Sequence, residues 1–178
     1  MKRLILFVLG LTAALVLVPT TAVADSATHT FSLVMEEPNF GVAANGDQIA
    51  VTGEGQFSVH PKSVEAEGAF THTDSGGNII ASGTWEATKL LSYHSYGCGE
   101  VFGDPIPPDL CGGAVKMRVT FTTPLGQRPG IITVICVIGP KAPSSVLGPR
   151  TEGVTVNVPG IINFNHSAGG DNVYIQTS

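Results

Sequence analysis

The sequence predicts an all-β protein built from antiparallel strands. Three observations support this prediction: apolar residues alternate with polar ones at a period of two, helical spacing is nearly absent, and turn-forming residues separate the alternating segments. The chain has 178 residues, among them 22 glycines and 12 prolines, which also favours short strands and turns. We expect an antiparallel barrel of about eight strands or a two-sheet β-sandwich, since both forms hide strand edges.

The clearest predicted strand spans residues 63–71. Val64, Ala66 and Phe70 share one face, and glutamates occupy the other, because successive side chains of a strand point to opposite sides. Residues 115–122 alternate in the same way, and shorter examples cover most of the remaining chain. Glycine-rich turns separate these strands at residues 45–47, 74–78 and 168–172.

The first 24 residues have the pattern of a signal peptide. Lys2 and Arg3 precede an apolar run of about 15 residues, shorter than the roughly 20 that a membrane-spanning helix needs. Ala22 and Ala24 supply small residues where signal peptidase cuts, so cleavage is predicted after Ala24. The mature chain, residues 25–178, is then a single secreted or periplasmic domain with no transmembrane span.

The charge balance argues against one class of partner. The chain carries 14 acidic and 9 basic side chains, a formal net charge of -5 at pH 7. An acidic surface repels a phosphate backbone, so nucleic-acid binding is not expected. The five histidines are dispersed, and no pair has the spacing of a metal-binding motif. We therefore expect no metal, no other cofactor and no catalytic residue that a motif would identify.

The predicted export places the three cysteines in an oxidising compartment, where disulfides form and persist. Cys98 and Cys111 bracket a segment dense in glycine and proline. We predict a disulfide between them, which would stabilise the fold by about 3 kcal/mol through loop entropy. Cys136 lies in the strongest apolar run of the mature chain, residues 131–138, and is predicted to be a buried free thiol. The alternative is that Cys136 pairs with one of the other two cysteines.

Residues 92–113 are the predicted contact region. They are predicted to form one long loop. Loops longer than about 12 to 15 residues are uncommon in compact domains and are often functional. Aromatic rings with one polar tip suit contact with a sugar or a lipid-like ligand. A plug that only covers one end of the fold is the alternative interpretation. The candidate binding residues are Trp85, which is also a candidate for the core, and Tyr93, His94, Tyr96 and Phe102.

Four short elements stand out in the mature chain: Gly-Ala-Phe-Thr-His at 68–72, Gly-Thr-Trp-Glu-Ala-Thr at 83–88, Tyr-Gly-Cys-Gly at 96–99 and Leu-Cys-Gly-Gly at 110–113. They resemble elements of small secreted bacterial β-sheet proteins with no known activity. The resemblance would cover roughly residues 50–170. Its motifs are structural, consisting of turn glycines, a core tryptophan and cysteines, so it implies a secreted β fold and no catalytic residue.

Two functional hypotheses follow. The first is a secreted, non-enzymatic binding or structural protein that contacts a small molecule, a carbohydrate or a cell-envelope partner through residues 92–113. The alternative is a small β-barrel enzyme of isomerase or hydrolase type, with His72 or His94 as general base beside Glu86 or Glu100. A histidine within hydrogen-bond distance of a carboxylate inside a concavity would favour the enzyme.

Overall fold

The computed structural model describes residues 29–143 and 152–178, and the regular elements in these ranges are all β-strands. The predicted signal peptide and its cleavage site lie outside these ranges. No helix in the described ranges is long and apolar enough to cross a membrane. The strands are β1 (Thr30–Met35), β2 (Asn39–Val42), β3 (Gln48–Ser58), β4 (Ser63–Thr73), β5 (Ile79–Cys98), β6 (Glu100–Val101), β7 (Asp104–Pro105), β8 (Leu110–Thr123), β9 (Gly126–Cys136), β10 (Gly153–Val158), β11 (Ile162–Phe164), β12 (His166–Gly169) and β13 (Asn172–Gln176).

Eleven of these strands form one antiparallel sheet, which confirms the predicted fold class, and β6 and β7 form a separate hairpin. Six strands of the sheet pair in a closed cycle in the order β1, β3, β4, β5, β8, β13 and back to β1. Two arms branch from this cycle. One arm runs from β8 through β9 and β10 to β11, and the other runs from β3 through β2 to β12.

The branching means that the predicted simple barrel of about eight strands is wrong. On one edge, β3 and β8 each extend beyond a single neighbouring strand, so that edge pairs with two partners in succession. Along β3, residues 48–51 pair with β2 and residues 54–58 pair with β1. Along β8, residues 110–111 pair with β13 and residues 113–123 pair with β9.

A buried amide joins the two arms to the cycle. The Asn172 side chain on β13 donates from Nδ2 to Asn39 Oδ1 on β2 at 2.6 Å and to the main-chain oxygen of Ile135 on β9 at 3.0 Å. The arms also contact each other directly, since a Cβ added at Gly41 of β2 would lie 3.1 Å from the main-chain oxygen of Val154 on β10. One polar side chain therefore fixes three strands that do not pair with one another.

The hydrophobic core includes Trp85, which is 1% exposed. Its ring occupies space that glycines leave open, because a Cβ added at Gly53 would overlap the indole and Gly68 is the cross-strand partner of Trp85. Its Nε1 donates to the main-chain oxygen of Thr52 at 2.9 Å, so its polar atom has a partner. The other large side chains that are fully buried include Tyr174, Phe57, Phe164, Leu33, Ile49, Met117 and Ile132.

Residues 92–113 are not one long loop, contrary to the sequence prediction. β5 continues to Cys98, so only residues 99–109 leave the sheet. The period-two pattern fails here because three register shifts interrupt the pairing of β5 with β8. Leu90 and Tyr93, which both contact the core, consequently stand three residues apart in the sequence.

We expect Gly68→Ala to lower the free energy of unfolding by about 1 to 3 kcal/mol, because a Cβ at this position would overlap the main-chain oxygen of Thr52. The matched control is Gly76→Ala in an exposed turn, where the nearest atom is a side-chain oxygen of Asp74 at 3.2 Å and no main-chain atom would be overlapped. Urea unfolding followed by the fluorescence of Trp85 measures both variants. Equal stability of Gly68→Ala and the wild type would contradict this account of the core.

Candidate functional site

The part of the predicted contact region that leaves the sheet is closed by a disulfide. Cys98 and Cys111 are cross-strand partners with Cα atoms 3.9 Å apart, and they form the predicted bond. Cys136 is a buried free thiol, also as predicted. We call residues 98–111 the contact hairpin. Its base is an extension of the β5 and β8 pair, so the core fixes its direction.

Two further main-chain hydrogen bonds hold the contact hairpin. Gly139 N–H donates to the oxygen of Glu100 at 2.7 Å, and Gln176 N–H donates to the oxygen of Asp109 at 2.8 Å. The first bond comes from the chain that follows β9, and the second comes from β13. With a disulfide and two anchors, the base of the contact hairpin has little conformational freedom to lose when a partner binds.

Phe102 and Gly103 form the two-residue turn at the tip. Both have positive φ, 52° and 93°, and the flanking Val101 and Asp104 pair, as in a type I′ hairpin. This turn favours Asn, Asp or Gly at its first position, and Phe102 is the sole non-glycine residue with positive φ in the described ranges. Its ring is 67% exposed, so it contributes little to the core. A bulky aromatic residue therefore stands where local turn chemistry favours Asn.

Two of the other candidate binding residues are packed inside the protein. The indole of Trp85 lies in the core and offers almost no surface to a ligand. The ring of Tyr93 lies 5.0 Å from Phe57 and 5.1 Å from Phe31, measured between ring centroids, and its hydroxyl donates to the oxygen of Gly112 at 3.1 Å. Burial raises the pKa of Tyr93. Both side chains therefore support the strands from which the contact hairpin extends.

Tyr96 and His94 lie on β5, a few residues before the contact hairpin begins. Their ring centroids are 5.7 Å apart. Tyr96 is 5% exposed, and its main-chain oxygen accepts the N–H of Lys141 at 2.8 Å. His94 is exposed. Of the five candidate residues, the structure thus leaves Phe102 and His94 open to a partner, with Phe102 at the projecting end.

The contact hairpin is acidic as well as apolar. It carries Glu100, Asp104 and Asp109 and contains no Lys, Arg or His. Asp104 and Asp109 are exposed, and Glu100 is half-buried. The exposed aromatic ring is therefore flanked in sequence by negative charge, a combination that would attract a partner with basic groups.

A separate concave surface of about 610 Å³ lies on the outer face of β1, β3, β4 and β5. Three of its lining residues, Glu54, Glu67 and Glu86, are direct cross-strand partners in a row. No ion pair within the described part of the chain compensates them. Like charges directly opposite each other destabilise a sheet, so we expect this row to lower the stability of the fold.

Of the described histidines, His72 alone lies within hydrogen-bond distance of a carboxylate. Its Nε2 is 3.0 Å from Asp47 Oδ2, and its ring meets that of Phe164 edge-on at 5.0 Å. The carboxylate expected beside a histidine was Glu86 or Glu100, and neither contacts His72. His72 and Asp47 do not line the concave surface described above. No group of three or more His, Cys, Asp or Glu residues in the described ranges could hold a metal ion.

Another carboxyl group, that of Glu152, is half-buried just before β10. Glu152 Oε1 accepts the N–H of Asn172 at 3.0 Å. Burial raises the pKa of Glu152 to about 7, and the charge of Asp171 acts in the same direction; the N–H groups of Asn172 and Val137 and the Cys136 thiol oppose them. Burial also raises the pKa of Cys136 to about 12. The buried Oδ1 of Asn172 has no hydrogen-bond partner.

Comparison with known proteins adds no assignment, because no protein-family model, no curated protein and no solved structure matches this chain. No residue role can be carried over from a relative. Function therefore has to be inferred from the contact hairpin, the acidic concave surface and the paired histidine themselves.

We expect Glu67→Gln to raise the free energy of unfolding by about 0.5 kcal/mol at low ionic strength, because it removes two direct carboxylate contacts. Glu65→Gln is the matched control, since the cross-strand partner of Glu65 is the neutral Gln56. The difference between the two variants should shrink in about 1 M NaCl, where charges are screened beyond roughly 3 Å. Equal effects at both positions in denaturant unfolding would show that the row is not repulsive.

Proposed function

We propose that this is a secreted binding protein that acts through the contact hairpin and that its partner is another protein. Phe102 is the observation that supports this proposal. Its ring is 67% exposed and its backbone has positive φ, so it costs local stability without contributing to the core. Aromatic side chains that enter a partner's pocket commonly supply much of the energy of an interface.

The surroundings of Phe102 suggest the chemistry of the partner. An apolar centre surrounded by polar groups is the usual arrangement of a protein interface. The acidic residues of the contact hairpin would face the rim of the contact, and the hairpin has no positive charge to balance them. We therefore propose a partner surface with an apolar pocket bordered by Lys or Arg, and an association rate that falls as salt is added.

The disulfide is compatible with the proposed location. Cys98 and Cys111 are joined, and such bonds persist in secreted and periplasmic proteins. This agrees with the signal peptide predicted for residues 1–24. A contact hairpin closed by a disulfide would keep its shape in that compartment without help from the partner.

An enzymatic role has one supporting observation, the 3.0 Å contact between His72 and Asp47. A general base also needs a space beside it in which a substrate can lie. Neither residue lines the concave surface of β1, β3, β4 and β5. We therefore favour binding over catalysis.

The decisive variant is Phe102→Asn. Asn suits the first position of a type I′ turn, so we expect the melting temperature to stay equal or rise. We expect partner binding to weaken at least about tenfold, the equivalent of roughly 1.4 kcal/mol. The measurement compares wild-type and variant protein, each immobilised and exposed to surface and secreted proteins of the producing cells, with quantitative mass spectrometry of the retained proteins.

The matched control is Leu125→Ala. Leu125 is 96% exposed in the turn between β8 and β9, so it is an apolar residue at the tip of another hairpin. Proteins retained by the wild type and by Leu125→Ala but lost with Phe102→Asn would support the proposal. Equal retention by Phe102→Asn and the wild type would contradict it, and the melting temperatures would show that folding is not the cause.

A further inference from the structure

The end of the sheet opposite the contact hairpin carries most of the large apolar side chains that are exposed in the described ranges. Three turns contribute them: Ile79 and Ile80 follow the turn at 74–78, Leu125 lies in the turn between β8 and β9, and Ile161 lies in the turn between β10 and β11. Each of the four is more than half exposed. We call these four residues the apolar end.

Strand pairing places the three turns side by side. The turn that contains Leu125 closes the hairpin of β8 and β9. On one side of it, β5 begins to pair with β8 at Thr84 and Thr122, and Ile80 lies on β5 just before that point. On the other side, β10 runs along β9 toward the same end and turns at Ile161. All four apolar side chains therefore project from one end of the sheet.

The apolar end and the contact hairpin lie at opposite ends of β8. Cys111 closes the contact hairpin, and Thr123 precedes the turn that contains Leu125. The strand between Cys111 and Thr123 spans about 40 Å, at roughly 3.3 Å per residue. A surface that binds the apolar end therefore leaves Phe102 accessible.

The segments that form the apolar end carry no formal charge. Residues 75–85, 119–127 and 153–170 contain no Asp, Glu, Lys or Arg, in a chain with a formal net charge of -5. Transfer of a charged group into hydrocarbon is costly, whereas transfer of an aliphatic side chain is favourable. The apolar end can therefore enter hydrocarbon without burying a charge.

Three charged side chains border the apolar end, and only one of them is basic. Asp47 is bound by His72, and Asp74 accepts hydrogen bonds from Asn78 of its own turn. Arg128 is exposed and forms no ion pair within the described part of the chain. It lies on β9 about 10 Å behind the tip of the hairpin, at roughly 3.3 Å per residue. This spacing matches the depth of about 5 to 10 Å to which apolar side chains enter the boundary between headgroups and acyl chains.

Two of the turns satisfy main-chain polar groups internally. The Thr123 hydroxyl accepts the N–H of Leu125 and donates to the oxygen of Gly126, both at 3.1 Å. The N–H of Ile161 donates to the oxygen of Val158 at 3.0 Å. Each turn also contains a proline, which has no N–H. Water would satisfy these groups at an exposed turn, but hydrocarbon cannot, so internal hydrogen bonds lower the cost of entering a membrane.

We propose that the apolar end inserts into the surface of a phospholipid bilayer with zwitterionic headgroups. The four aliphatic side chains enter the edge of the hydrocarbon, Arg128 meets the lipid phosphates, and the contact hairpin points away from the bilayer. A fluid bilayer closes around separate projecting turns, whereas a protein would need a matching pocket for each of them. The negative net charge of the chain opposes binding to anionic lipids.

The test is flotation of the complete protein with phosphatidylcholine vesicles. We expect the wild type to float equally well at low salt and in about 1 M NaCl, because screening does not weaken apolar insertion. Inclusion of about 30% phosphatidylglycerol should reduce binding at low salt. The double variant Leu125→Ser with Ile161→Ser should lower the partition coefficient at least about tenfold. Its melting temperature should equal that of the wild type, since both side chains are exposed.

The matched control is Phe102→Asn, which removes an exposed apolar side chain at the other end of the protein and should float like the wild type. Residues 1–24 are the same in every variant, so lipid binding by the predicted signal peptide would persist in the double variant. No flotation of the wild type, equal flotation of the double variant, or an equal loss with Phe102→Asn would overturn the proposal. Partner capture is measured without vesicles, so lipid binding and the proposed function can fail separately.

Discussion

The pairing of β5 with β8 joins the hydrophobic core to the contact hairpin. The two strands pair from Thr84 and Thr122 to Cys98 and Cys111 with three register shifts, and this contact closes the cycle of six strands. It places Trp85 opposite Phe121 in the core and then continues outward as the base of the contact hairpin. The same strand pairing therefore contributes to the stability of the core and sets the direction of the exposed tip.

Local chemistry was sufficient to predict the fold class and the state of the cysteines, but not the connectivity. Alternation along residues 63–71 predicts a strand because the side-chain period is a property of the backbone itself. The connectivity could not be predicted, since it depends on pairings between distant segments, such as Phe31 of β1 with Gln176 of β13. The full length of β5 could not be predicted either, because its bulges displace Leu90 and Tyr93 from a period of two.

The candidate site could be predicted from the sequence only in part. Of the aromatic residues proposed from the sequence, Trp85 and Tyr93 are packed within the protein, while Phe102 is exposed. Sequence alone cannot separate these aromatic residues, since exposure depends on the strands that fold over them. Glu152 carries no sequence signal, because its partial burial and its hydrogen bond with Asn172 arise only when distant segments meet in space.

The proposed contact between the tip of the contact hairpin and a partner protein can be tested by cross-linking. The most direct measurement replaces Phe102 with the photoreactive analogue p-benzoylphenylalanine, and Leu125 likewise in a parallel sample, and irradiates each protein in the producing cells. We expect a discrete covalent adduct with one partner protein from position 102 and none from position 125. No adduct at position 102, or the same adducts from both positions, would contradict it.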